Sequence, residues 1–280
     1  MKVVLATDGN EPAGAAATLL TRLAHRERTE VRVVAVNGFE TVLAEAEVLH
    51  HYDPAAGRQH AQAALDAALA TVRAGGLRAE GVVVDGDPTT EILACAADEE
   101  AALVVVGAGH VRWTDTLLLG STSSAVLHSA SASVLVVHDV RGEARVGVLI
   151  ATDGSEGSQR AVRVFTDLAD PERCEVCVLS VAELPALGGR GVLGDDLAAA
   201  ELRVRAEGRA EDVATILRGK KFRVRTEAAA GRPVSGLLEA ARDHDLVVVG
   251  SRGHGAIRRV LLGSVSDSLA RQTRATLVGR

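Results

Sequence analysis

The sequence predicts an α/β protein made of two tandem domains, each an open five-stranded parallel sheet with helices on both faces. Short apolar runs rich in β-branched residues alternate with helical stripes along the chain. The two halves repeat one another in ordered blocks. Aromatic residues make up only 2% of a chain that is 47% hydrophobic. The cores must therefore be built from Val, Leu, Ile and Ala, the composition of buried parallel strands under alanine-rich helices.

In chain order, residues 3–8 (Val-Val-Leu-Ala-Thr-Asp) read as a first strand and an acidic turn. A helical stripe follows, with Ala16, Leu19, Leu20, Leu23 and Ala24 on one face. Val31 to Val36 is a second strand, and Ala61, Ala64, Leu65, Ala68, Leu69 and Val72 stripe the next helix. Val82 to Val84 and Leu103 to Val106 continue the alternation, which implies right-handed βαβ units and a doubly covered sheet. The pattern then restarts. Residues 148–153 (Val-Leu-Ile-Ala-Thr-Asp) repeat the first strand, and Gly231-Arg232-Pro233 repeats Gly86-Asp87-Pro88 at the same offset. Leu246 to Gly250 repeats Leu103 to Gly107, and Leu261 to Ser264 repeats Leu118 to Ser121, both at an offset two residues shorter. Helical stripes recur at Ala161, Val164, Phe165 and Leu168, and from Val234 through Leu237, Leu238 and Ala241. A period this long makes each copy a whole domain, not a solenoid unit. The polar stretch 139–145 is the predicted boundary, giving domains 1–140 and 145–280.

The formal net charge of −6 and pI near 5.9, with no long basic run or aromatic stacking series, argue against nucleic acid as a partner. No stretch approaches the roughly 20 apolar residues of a membrane span. The amino terminus runs straight into a strand pattern without a signal-peptide cleavage region, and three cysteines do not make a disulfide framework. A cytoplasmic location is expected.

Chemistry concentrates in one loop of the second copy. Gly250-Ser251-Arg252-Gly253, nine residues, then Gly263-Ser264 follow a strand and precede the helical run from Val265 to Ala270. Glycines let backbone approach a ligand closely, and a helix starting at Ser264 turns unpaired N–H groups and a positive dipole end towards it. The hydroxyls of Ser264 and Ser266 and the charges of Arg252, Arg258 and Arg259 suit a polyphosphate. Glycines after a strand also serve simple tight turns, and Asp153 by itself reads equally as an Asx-type turn or helix cap.

This loop, behind a strand ending Val-Val-Val-Gly, resembles the ATP-binding signature of the universal stress protein family. Residues 148–155 are similar to that family's first strand and acidic turn, and the Gly-x-Pro before the third helix also fits. The resemblance covers both copies. It implies Rossmann-like (adenine nucleotide alpha hydrolase-like) domains of sheet order 3-2-1-4-5, with the ligand at the switch point between strands 1 and 4. Position by position, it implies Thr152 and Asp153 at the ribose and adenine end and the Val181 backbone against adenine. Gly250, Arg252, Gly253, Gly263, Ser264, Val265 and Ser266 would surround the phosphates of ATP, with or without a bridging Mg²⁺. It also implies pairing of the two copies within the chain through Val134 to Val137 and Thr276 to Val278, although Gly279-Arg280 cuts the latter short, and it leaves a homodimer open.

The first copy departs from the signature. Thr7, Asp8, Gly107, Gly120, Ser121, Thr122 and Ser123 suit the site, but His110 stands at the second-glycine position, with Gly109 one residue early. Trp113 adds bulk and Asp115 adds negative charge, so nucleotide binding by this copy is left open.

Other signals are weaker. Cys174 and Cys177 have redox spacing but enter a strand, where positions three apart face opposite ways. Cys95 reads as a small core residue. His50, His51 and His60 lack companion ligands and read as surface histidines, while His110 and His254 flank the loops. No P-loop lysine motif or GxSxG elbow is present, and no GxGxxG follows the first strand. Three readings remain: an ATP-binding stress-response or regulatory protein, an interaction module with a vestigial site, and a slow ATPase, disfavoured because no general base can be named.

Overall fold

In the computed structural model, residues 1–38, 54–109, 119–142, 145–183, 194–253 and 262–280 are described. The chain divides into two units, Met1–Arg141 and Gly142–Arg280.

The first unit runs β1 (Lys2–Thr7), α1 (Glu11–Leu23), β2 (Glu30–Asn37), α2 (Pro54–Ala74), β3 (Arg78–Asp85), α3 (Pro88–Asp98), β4 (Leu103–Gly107), α4 (Ser121–Ser129) and β5 (Ser133–Val137). Its strands are all parallel, in the order β3-β2-β1-β4-β5. The second unit repeats this as β6 (Val146–Ala151), α5 (Glu156–Leu168), β7 (Cys174–Glu183), α6 (Gly194–Gly219), β8 (Arg223–Gly231), α7 (Pro233–Ala241), β9 (Leu246–Gly250), α8 (Ser264–Gln272) and β10 (Ala275–Gly279). Its parallel order is β8-β7-β6-β9-β10. Each unit has the predicted Rossmann-like order, and the sequence patterns show why. Val3 to Ala6 and Leu103 to Val106 are buried without alternation, as strands covered on both faces require. The helices pack in pairs, α1 with α2 and α3 with α4 in the first unit, α5 with α6 and α7 with α8 in the second.

Helix starts are set locally. Asn10 caps α1 by accepting from Ala13 N, with Pro12 in the first turn, and Asp87 caps α3 ahead of Pro88. Ser155 caps α5 by accepting from Ser158 N. The striped residues of α1 and α2 are buried as expected. In the second unit Phe165 is the largest fully buried side chain, and its ring lies 5.3 Å from that of Phe222, tying α5 to the start of β8. Val164, expected in the α5 stripe, is only half-buried, and Val162 is buried instead. Val234 and Leu238 of α7, also expected in a buried stripe, are half-buried, while Leu237 is buried and with Pro233 lines an open cavity.

Candidate functional site

In each unit the chain passes from the first strand to one neighbour and later returns on its other side. The connections diverge above the carboxyl ends of β1 and β4, and of β6 and β9, leaving the crevice of a topological switch point.

In the second unit this crevice is a cavity of about 580 Å³. Such a volume is within the usual range for small-molecule sites. All ten second-copy residues singled out above line it. They are Thr152, Asp153 and Val181 from the ends of β6 and β7, and Gly250, Arg252, Gly253, Gly263, Ser264, Val265 and Ser266 from the end of β9, its loop and the start of α8.

The acidic turn is held by its own hydrogen bonds. Thr152 Oγ1 accepts from Gly154 N at 3.2 Å, Asp153 Oδ1 accepts from Ser155 N at 2.9 Å, and Gly154 has a φ of +80°, which glycine tolerates. Asp153 thus forms an Asx turn, and Ser155, not Asp153, caps α5. Its second oxygen, Oδ2, faces Gly253, where a Cβ would intrude to 2.6 Å. Across the crevice, Gly250 ends β9 against the first turn of α5. A Cβ on it would lie 2.5 Å from the carbonyl carbon of Gly157 and 2.6 Å from Ser158 N. One on Gly157 would strike the Arg252 carbonyl. The two glycines let the loop and helix approach backbone to backbone, and Ser155 Oγ donates to the Arg252 carbonyl at 3.4 Å to close the contact.

The start of α8 is built differently from those of α1, α3 and α5. Gly263 occupies the cap position and offers no side-chain acceptor. Its own N–H is spent on the Ser251 carbonyl at 2.9 Å. The N–H groups of the first helical turn beyond it, from Ser264, Val265 and Ser266, belong to residues lining the cavity, at the positive end of the helix. The Ser266 hydroxyl donates to the Gly250 carbonyl at 2.7 Å and is buried, so it fastens the loop, and the residue's free contribution to the cavity is its backbone. Positive charge gathers nearby: burial first, and the charge of Arg252 second, push the Arg280 guanidinium below its ordinary pKa.

The first unit keeps the turn but not all of its consequences. Thr7 Oγ1 accepts from Gly9 N at 3.3 Å and Asp8 Oδ1 from Asn10 N at 3.1 Å. Asp8 Oδ2 also accepts from the Asn10 amide at 2.7 Å, so this carboxylate already holds a side-chain donor. Gly107 meets the first turn of α1, where a Cβ would lie 2.5 Å from Ala13 N. Gly120 sits uncapped ahead of α4, which begins Ser121-Thr122, and the buried Ser123 hydroxyl donates to the Ala108 and Gly120 carbonyls at 3.1 Å. Gly109 has a φ of +86° and approaches Gly120. His110, Trp113, Asp115, His254, Arg258, Arg259, His50 and His51 lie outside the described residues, and His60 contacts the Asp8 carbonyl at 3.2 Å.

A model of the universal stress protein family matches residues 1–138 and again residues 147–278. The chain belongs to the universal stress protein family. A universal stress protein of Mycolicibacterium smegmatis is 34% identical over 181 residues, spanning 62% of this chain and 60% of that relative. One from Mycobacterium tuberculosis is 29% identical over 241 residues, 79% of this chain and 76% of its own. The crystal structure of a universal stress protein from Archaeoglobus fulgidus covers 100% of this chain and 98% of its own, with a TM-score of 0.63 at 21% identity, a likeness of fold. Two shorter family structures, one in complex with cAMP and one from Archaeoglobus fulgidus in complex with dAMP, cover 49% of this chain at 24% and 20% identity, with TM-scores of 0.38 and 0.36.

Among the cavity residues that no local motif points to are Leu179 and Glu183 of β7, Leu202 and Arg209 of α6, and Leu237 of α7. The pairing of β7 with β6 and the docking of α6 and α7 bring them to the crevice. The two β7 cysteines are buried, and burial pushes the Cys174 thiol up to about 12 and that of Cys177 upwards, so neither is a ready thiolate. Among the described residues, no helix is long and apolar enough to cross a membrane, and no group of three or more metal-ligating side chains occurs.

Proposed function

We propose that this universal stress protein is a nucleotide-binding regulatory protein of the stress response, whose second unit holds ATP in the crevice above β6 and β9. One observation carries the reading: a single cavity of about 580 Å³ joins the Asp153 turn, the glycine loop and the uncapped start of α8. Its chemistry divides as a nucleotide's does. Leu179, Val181, Pro233 and Leu237 offer an apolar wall for a base, and Asp153 Oδ2 is an acceptor for ribose hydroxyls. The α8 amides and Arg252 offer donors and charge for phosphates. Mg²⁺ would arrive with the phosphates, keeping much of its water, as that ion commonly does. Holding the nucleotide, not turning it over, is the activity assigned, and steady-state phosphate release is expected to stay below about 1 s⁻¹. In the first unit Thr7, Asp8, Gly107, Gly120, Ser121 and Thr122 form the corresponding set, so the binding stoichiometry reports whether one nucleotide or two are held.

The test is a calorimetric titration of the full chain and of Gly263→Asp with Mg²⁺ and ATP. Gly263 has an ordinary extended conformation, φ −68° and ψ 149°, so Asp is conformationally allowed there. As a cap residue it would occupy the helix start and repel phosphate. Loss of one site in the variant, with its fold retained, is the expected result. An unaltered chain with no affinity tighter than about 1 mM would overturn the proposal, leaving an interaction module.

A further inference from the structure

The cavity carries a cation that neither the family signature nor the glycine loop accounts for. Arg209 projects from α6 onto the acidic turn: a Cβ built on Gly154 would lie 3.4 Å from its Cγ and Cδ, and the residue lines the cavity with Asp153 and Arg252. Of the other arginines of α6, Arg203 pairs with Glu207 at 3.4 Å and Arg218 with Glu211, while Arg205 is exposed to solvent and does not line the cavity. Arg209 forms no hydrogen bond or ion pair with another described residue, even though Asp212 lies one helical turn away on the same surface.

The duplication supplies an internal comparison. In the first unit the turn glycine Gly9 has φ +79°, matching +80° at Gly154, and it packs against Ala64 of α2, whose Cβ would lie 3.0 Å from a Cβ on Gly9. Ala64 and Arg209 therefore occupy the same place against the same turn. A methyl group is enough to pack there, so packing does not explain the guanidinium. What a long cation with no partner among the described residues, lining one cavity with Arg252 and an uncapped helix start, can do is bind an anion, for which its fixed fork of donors is suited.

We propose that Arg209 is a phosphate-binding residue of the second unit's cavity, reaching the nucleotide from α6 at the Gly154 turn. This rests on the reading of the cavity as a nucleotide site. It assigns to α6 a role in selecting for charged nucleotides over nucleosides, and it makes the first unit, with Ala64, the weaker anion site.

The test measures ATP and adenosine binding by calorimetry on the full chain, Arg209→Ala and Arg209→Lys, with Gly263→Asp marking which site belongs to the second unit. Alanine is a strong helix former and Arg209 is half-buried, so the variants are expected to fold. Arg209→Ala is expected to weaken ATP at that site about tenfold or more, the effect of losing one charged hydrogen-bonding partner. Adenosine should change by less than about twofold, Lys should restore part of the loss, and the salt dependence of ATP binding should become shallower. Equal losses for ATP and adenosine would make Arg209 a structural residue and overturn the assignment, as would undiminished ATP binding by Arg209→Ala. Failure of the unaltered chain to bind ATP would overturn this inference together with the reading beneath it.

Discussion

Gly107 and Gly250 belong to the phosphate-loop signature, yet the structure gives each a packing duty that needs no ligand. Replacing either with alanine tests this. At Gly250 the new Cβ would sit 2.5 Å from a carbonyl carbon and 2.6 Å from a backbone nitrogen of α5, and at Gly107 it would sit 2.5 Å and 2.7 Å from backbone atoms of α1. Non-bonded carbons settle near 3.5–4.0 Å, so about 1 Å must be recovered. The obstacles are backbone atoms of a helix's first turn, which cannot swing aside as a flexible side chain can. Overpacking of this kind costs about 1–3 kcal/mol, against roughly 0.4–1 kcal/mol returned by the stiffer unfolded chain. A net loss of about 1–2 kcal/mol corresponds to a fall of roughly 2–8 °C in Tm for a unit of this size. Urea unfolding followed by circular dichroism, without nucleotide, should show a lower midpoint at unchanged slope. Gly208→Ala is the control of opposite sign: a Cβ there meets nothing within 4 Å, and alanine in a helix interior gains about 0.5–1 kcal/mol. Midpoints for Gly107→Ala and Gly250→Ala within about 0.5 kcal/mol of the unaltered chain would refute the reasoning, since ordinary surface changes do as little.

Gly263→Asp should separate binding from folding: ATP affinity falls while thermal stability without nucleotide changes little, the gain of a better cap offsetting a Cβ placed 3.3 Å from the Ser251 carbonyl oxygen. Cys174 and Cys177 should resist alkylation at pH 8 in the native chain and react only on unfolding, since burial keeps both thiols protonated well above that pH; mass spectrometry reads this directly. The Thr90 backbone N–H and hydroxyl hold the Asp87 carboxyl below its ordinary value of 3.8. The α3 cap therefore contributes stability that is present above that value and lost as pH falls through the lower folded one, so Asp87→Ala should be destabilising at pH 6 and progressively less so in acid.

How much was legible without coordinates depended on how local each feature is. The strands and the stripes of α1 and α2 follow from periodicity within a dozen residues, because covered parallel strands bury both faces. The duplication and the glycine loop are contiguous patterns, so they too could be read directly, and the family resemblance followed from them. Asp153 could not be resolved between turn and ligand site from its neighbours. The structure shows one oxygen committed to the Asx turn and the other facing Gly253. The loop serines were equally ambiguous, and the bond from Ser266 to the Gly250 carbonyl exists only because β9 and α8 converge.

What the sequence determined by itself is therefore the repeated α/β architecture and the residues of the anion-type loop, since both are written in short-range spacing. What only the tertiary structure decided is which of those groups line one cavity and which are spent on packing, and that Arg209 lines that cavity from α6. The physical reason is distance along the chain: Arg209 lies far in sequence from both Asp153 and Gly250, and only the docking of α6 against β7 and β8 brings its side chain to the turn.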